Sequence, residues 1–91
     1  MGLFFWKLKG ERLLGFEIEN AEEVNNCDPE AVLRLELALP KIGALPAAGF
    51  DVRKGRYIVA LQPDDPSPPS PEDILMVFAQ FGFKAHFKGE P

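Results

Sequence analysis

The feature that most constrains this chain is a helix, close to the C-terminal end, that is apolar nearly all round. Ser70-Pro71-Glu72-Asp73 is typical of a helix start, with Ser as the N-cap, Pro at the first helical position and acids in the first turn. After this start only Gln80 is polar before Gly82, a residue suited to the left-handed conformation that ends helices. The sequence therefore predicts a helix over 71–81 whose apolar surface must be covered on more than one side.

Alternation of side chains with period two predicts strands elsewhere in the chain. The predicted strands are 3–8, 13–19, 32–39, 57–61 and 83–88. The first two flank the turn Gly10-Glu11 and form a predicted β-hairpin. The run 57–61 is the most β-branched and aromatic of the five. In the final strand we expect Phe83, Ala85 and Phe87 to point inward.

Residues 32–39 satisfy two rules that conflict. Asp28-Pro29-Glu30-Ala31 is typical of a helix start, and the Leu, Ala and Glu that follow favour helices. The alternation of Leu33, Leu35, Leu37 and Leu39 instead predicts a strand that ends at Pro40. We take the alternation as decisive and expect a strand.

The remaining segments are connections. Residues 20–26 predict either one helical turn or an acidic loop, and 40–50 predict a loop because they hold two prolines and two glycines. The Pro-rich segment 63–71 predicts extended surface chain. The expected fold is a single α+β domain over 1–91. It has two layers, with an antiparallel sheet of four or five strands, one main helix near the C-terminus and a final strand after it.

Composition excludes several classes of protein. One cysteine, Cys27, forms no internal disulfide, and with one histidine, His86, it builds no Cys/His zinc cluster. The longest apolar run, Ile74 to Ala79, is far shorter than a membrane span of about 20 residues. The N-terminus lacks the pattern of a signal peptide, so we expect a cytoplasmic protein.

Residues with catalytic chemistry are few. Both serines lie in or beside the Pro-rich segment, and no phosphate-binding glycine loop is present. Glu17 and Glu19 share a strand face, but an alternating polar face favours solvated carboxylates over an acid, base or metal site. We expect His86 to stand exposed on the outer face of the last strand. The sequence predicts no enzyme, no cofactor and no metal site.

Two functions remain, and the first is a non-enzymatic protein-interaction module. It would be a homo-oligomer, or an accessory subunit or inhibitor of a larger assembly, with acidic segments that steer it toward a basic partner. The predicted partner surface on the C-terminal helix consists of Ile74, Met76, Val77, Phe78 and Phe81. The alternative cover for this helix is the 40–50 loop.

The second function is single-stranded nucleic-acid binding by a basic and aromatic strand face. Its predicted contacts are Phe5, Lys7, Lys9, Arg53, Lys54, Arg56, Lys84, His86 and Lys88. The net charge of −4 opposes this alternative, because affinity for phosphate backbones comes from an excess of Lys and Arg.

Overall fold

The structure is a computed structural model, and it describes residues 12–47 and 54–90. In chain order the elements are β1 (Arg12–Ile18), α1 (Ala21–Cys27), α2 (Ala31–Ala38), a 3-10 helix (Leu39–Ile42), β2 (Ala44–Pro46), β3 (Arg56–Leu61), α3 (Pro71–Gln80) and β4 (Ala85–Gly89). The predicted fold class is confirmed, with an antiparallel sheet, a main helix near the C-terminus and a final strand. The predicted strand 3–8 lies outside the described residues.

The sheet runs in the order β2-β3-β1-β4, and each pair of neighbours is antiparallel. Phe16 in β1 lies opposite both Tyr57 in β3 and Phe87 in β4. Strand alternation gives the sheet two different faces. The inner face holds the buried Leu14, Phe16, Ile18, Tyr57, Val59 and Leu61, and the outer face holds the exposed Glu17, Arg56 and His86.

Phe78 of α3 lies at the centre of the core. Its ring centroid is 5.4 Å from that of Phe16, 5.6 Å from Tyr57 and 6.4 Å from Phe83. Phe78 and Ile74 are fully buried and Val77 nearly so, so this face of α3 packs on the sheet. Aromatic pairs at these separations add stabilisation beyond the area that they bury.

Residues 31–38 form helix α2, so the predicted strand over 32–39 is wrong. Ala31, Leu35 and Leu39 recur every four residues and are all buried, which is the spacing of one helix face. Leu33 and Leu37 lie on the opposite side of α2 and are 57% and 63% exposed. The alternating leucines thus divide between two sides of a helix, and helix propensity outweighs the period-two pattern.

The predicted start of α3 is confirmed. Ser70 Oγ accepts a 3.2 Å hydrogen bond from the Asp73 amide, and Asp73 Oδ2 accepts one of 3.1 Å from the Ser70 amide. This reciprocal pair is a capping box. Regular helix ends at Gln80, and Gly82 follows with a φ of +86°, the left-handed conformation expected of it.

The connections contain more regular structure than predicted. Residues 21–27 are helical, which confirms the helix over the acidic loop, and the described part of 40–50 holds a 3-10 helix and the short strand β2. The Pro-rich segment packs back on this region. A Cβ placed on Gly43 would lie 2.7 Å from Asp65 Oδ2 and 3.4 Å from Pro69 Cδ.

Candidate functional site

The candidate site is the corner where the end of β1 meets the start of β4. Glu17 lies opposite His86 in the register, and the Glu19 amide donates a 2.8 Å hydrogen bond to the Lys84 carbonyl. Because side chains two apart on a strand share a face, Glu17, Glu19 and His86 all point outward. Nε2 of His86 is 3.2 Å from Oε2 of Glu19. This imidazole–carboxylate contact joins residues 67 positions apart in the chain.

Solvent reaches both members of the pair. The side chains of His86 and Glu19 are 57% and 64% exposed. An exposed ion pair contributes little to folding stability, about 0–1 kcal/mol. Stability therefore gives no reason for this arrangement, and the two donor atoms remain accessible to a ligand from solution.

A shallow cavity of about 320 Å³ adjoins Glu19 of this pair. It is lined by Glu17, Ile18, Glu19, Ala21, Glu22, Lys54 and Gly55. Three of these side chains are carboxylates and one is a lysine, and Arg56 lies opposite Glu17 in the sheet. Within residues 12–47 and 54–90, no three or more His, Cys, Asp or Glu side chains are grouped to hold a metal ion. The corner thus offers two adjacent metal-donor side chains, His86 and Glu19, among residues of both charges. Its described residues do not provide a complete set of metal ligands.

Among residues 12–47 and 54–90, the soft donor atoms lie outside this corner. Cys27 is exposed at the C-terminal end of α1, which is about 10 Å from the β1–α1 junction at 1.5 Å per helical residue. Met76 is 68% exposed on α3. Neither side chain lines the cavity at the corner, so the two do not form a cluster of soft ligands there.

The predicted partner surface on α3 is wrong for three of its five residues. Ile74, Val77 and Phe78 are buried in the core, and Phe81 is half-buried against it. Only Met76 is exposed to solvent. The cover that this helix requires comes from the sheet on one side and from α2, which also packs on α3.

The residues predicted to bind nucleic acid divide into two groups. Phe5, Lys7, Lys9 and Arg53 lie outside the described residues. The other five predicted contacts lie within the described residues, and all are exposed: Lys54, Arg56, Lys84, His86 and Lys88. Among the latter, His86 contacts the carboxylate of Glu19, and Arg56 lies beside Glu17. The outer face of the sheet therefore mixes both signs of charge instead of forming a basic stripe.

Each half of the site is predicted separately from the sequence. Strand alternation predicts that Glu17 and Glu19 share a face and that His86 lies on an outer face. The sequence does not predict their proximity, since no local pattern indicates that β1 and β4 are neighbours. The hydrogen bonds of Asn20 to Gly82 and Lys84 likewise have no local signature in the sequence.

Comparison with known proteins places the fold. No family model and no curated protein matches this chain. The solution structure of the N-terminal domain of a potential copper-translocating P-type ATPase from Bacillus subtilis, in its Cu(I)-loaded state, is similar. It matches 89% of this chain and 91% of its own with a TM-score of 0.63 and 24% identity. The shared architecture is the ferredoxin-like β-α-β-β-α-β arrangement, with an additional helix α2 between β1 and β2 here.

This likeness corrects both predicted functions. The domain that resembles the chain is described as Cu(I)-loaded, whereas the predictions were a generic protein-interaction module and a nucleic-acid-binding domain. The generic protein-interaction module also loses its physical basis, because most of its surface is core. Among the described helices, none has the length and apolar character that a membrane span requires.

Proposed function

We propose that this chain is a non-enzymatic domain that binds a transition-metal ion at the β1–β4 corner, with Glu19 and His86 as its protein donors. The observation that carries the proposal is the 3.2 Å contact between His86 Nε2 and Glu19 Oε2 on an exposed face. The fold of a metal-loaded domain supports it as an analogy.

The separation of the two donor atoms fits one shared ion. Tetrahedral ligands at 2.0–2.2 Å from the same zinc ion lie about 3.3–3.6 Å from each other. The 3.2 Å between the imidazole nitrogen and the carboxylate oxygen lies just below this range. An ion could replace the present contact without a large movement of either side chain.

The donor set favours a divalent ion over Cu(I). Soft thiolate and thioether ligands select Cu(I), whereas imidazole suits Zn²⁺, Cu²⁺ and Ni²⁺. The chain has one cysteine, and Cys27 lies at the far end of α1 from the corner. Cu(I), which the similar domain carries, therefore does not suit this site. Cu²⁺ and Zn²⁺ are the ions that we expect it to bind.

Two protein donors make a weak and rapidly exchanging site. Water molecules or a second protein would supply the remaining ligands, which suits exchange of the ion better than storage. A cytoplasmic location and a protein partner that donates or accepts the ion are part of this proposal. The similar domain belongs to an ATPase described as copper-translocating, which supports a role beside a larger protein.

The test is titration of the chain with Cu²⁺ and Zn²⁺, with Mg²⁺ as the hard-ion comparison. Binding is followed by calorimetry and by the ring resonances of His86, the one histidine in the sequence. We expect saturable binding of Cu²⁺ and Zn²⁺ that broadens or shifts the His86 signals. We expect His86→Gln and Glu19→Gln each to weaken it at least about tenfold.

Matched controls are Lys88→Gln on the same strand and Glu72→Gln on α3, both exposed and outside the corner. Each control should bind as the unmodified chain does. Equal affinity in His86→Gln, or no saturable binding of either ion, would overturn the proposal. Preferential binding of Cu(I) that depends on Cys27 would replace this site with another.

A further inference from the structure

We infer that Asn20 is the positioning residue of the β1–β4 corner, an inference that rests on the proposed function. Asn20 follows Glu19 directly and precedes α1. Its side chain makes hydrogen bonds to the segment between α3 and β4, near the C-terminal end of the sequence. The metal donors themselves are both exposed, so their separation depends on how the backbone beneath them is held.

The amide of Asn20 makes one hydrogen bond with each of its two ends. Nδ2 donates to the carbonyl of Gly82 at 2.9 Å, and Oδ1 accepts from the backbone N–H of Lys84 at 2.7 Å. The adjacent Glu19 amide donates to the Lys84 carbonyl at 2.8 Å. Both backbone polar groups of Lys84 are thus bound by two consecutive residues of the β1–α1 junction.

This arrangement sets the position of His86 relative to Glu19. Lys84 lies two residues before His86, and Ala85, between them, pairs with Ile18. The Asn20 amide therefore extends the β1–β4 pairing by a side-chain bond beyond the last pair of the ladder. Without it, the ends of both strands fray more readily, and the two donors spend less time at a separation that one ion can bridge.

Asn20 also fits this role better than that of a helix cap. It occupies the N-cap position of α1, yet its side chain makes no capping hydrogen bond to that helix. N-cap asparagines ordinarily accept from an amide in the first turn. Here the side chain instead bonds residues 62 and 64 positions away.

The experiment compares Asn20→Ala and Asn20→Asp with the control Asn26→Ala, an exposed asparagine on α1. Cu²⁺ and Zn²⁺ affinities are measured at a temperature where denaturant titration shows every variant folded. Asn20→Ala should weaken both affinities about tenfold, as loss of an outer-shell partner does. Asn20→Asp keeps the acceptor for Lys84 and should retain part of the affinity, and Asn26→Ala should bind normally.

A double-mutant cycle measures the coupling between Glu19 and His86 in ion affinity. Substitution of a purely structural residue would leave this coupling unchanged. In the unmodified chain, Glu19→Gln and His86→Gln should be strongly non-additive in ion affinity, because both ligands must hold one ion. In the Asn20→Ala background this coupling should be smaller. Unchanged affinity and coupling in Asn20→Ala would overturn the inference.

The two failures are distinguishable. If the unmodified chain binds ions independently of His86, the proposed function is wrong and the cycle contains no coupling to lose. If the unmodified chain shows the His86-dependent site but Asn20→Ala behaves like Asn26→Ala, only the positioning role is wrong. Loss of affinity in Asn26→Ala as well would also overturn the role, since it would show a general effect of α1.

Discussion

Gly55 approaches Ile18 so closely that the position has no room for a side chain. The Ile18 amide donates a 2.6 Å hydrogen bond to the Gly55 carbonyl, and a Cβ on Gly55 would lie 2.6 Å from the Ile18 carbonyl oxygen. Gly55 also has a φ of +62°, which favours glycine. This contact ties the start of β3 to the end of β1, beside the candidate site.

We expect Gly55→Ala to lower the free energy of unfolding by at least about 2 kcal/mol, because left-handed strain adds to a clash with backbone that cannot rotate away. Gly82→Ala is the matched control, since Gly82 has a φ of +86° but nothing within 4 Å of its Cβ position. That variant should lose only about 1 kcal/mol. Urea denaturation followed by circular dichroism measures both, and equal losses would show that the close approach to Ile18 is without effect.

Phe78 and Met76 separate the core of α3 from its surface. Phe78 is fully buried among three aromatic rings, so Phe78→Ala should cost about 3–5 kcal/mol. Met76 is 68% exposed, and Met76→Ala should change stability by less than about 0.5 kcal/mol. Chemical denaturation of the two variants checks this contrast. A large loss in Met76→Ala alone would show that the described packing of α3 is wrong.

Ser70 stabilises the start of α3 through its capping box with Asp73. Ser70→Ala removes the acceptor for the Asp73 amide and should cost about 1 kcal/mol. Ser67→Ala is the control, because Ser67 is exposed in the Pro-rich segment. Its backbone N–H still donates a hydrogen bond to Asp65 Oδ1 after the change. Thermal unfolding should rank the control with the unmodified chain and place Ser70→Ala below both. The reverse order would contradict the cap.

Tyr57 makes the fold sensitive to alkaline pH. Burial raises the pKa of the Tyr57 phenol well above its ordinary value of 10.0, and the negative charge of Glu36 adds to the increase. The folded state therefore holds this proton at a pH where the unfolded chain releases it. The contribution of the Tyr57 phenol to the free energy of unfolding is fully present below about pH 10 and decreases as the pH rises above this value.

Denaturant titrations between pH 9 and pH 12 test this expectation, with Tyr57→Phe as the comparison. Phenylalanine fills nearly the same volume without an ionisable group, so the variant should lose less stability over this range. Absorbance of the one tyrosine at alkaline pH gives a second readout, which should report phenolate only as the protein unfolds. Parallel stability curves for the two proteins would show that Tyr57 is not the sensitive group.

Sequence patterns were sufficient where the controlling interactions are local. The Ser70-Pro71 start and Gly82 end of α3 depend on neighbours within one helical turn, and the strands β1 and β3 depend on alternation within one segment. The same rules were insufficient for α2. There the leucines satisfied both periods, and only the burial of Ala31, Leu35 and Leu39 against the sheet and α3 selects the helix.

The error in α2 also explains the error in function. With one long apolar helix and no second helix to cover it, the chain was predicted to cover Phe78 and its neighbours with an external partner or with the 40–50 loop. Once 31–38 is helical, α2 packs on α3, and the surplus of apolar surface that suggested an interface is largely interior.

The sequence by itself determined the α+β class, the position and ends of α3, and the outward faces of Glu19 and His86. Only the tertiary structure decided that these two side chains meet, and that Asn20 bonds both Gly82 and Lys84 beside them. The physical reason is distance along the chain. Contacts between residues more than 60 positions apart depend on the strand order β2-β3-β1-β4, which arises from packing of the whole core and leaves no signature in any short segment.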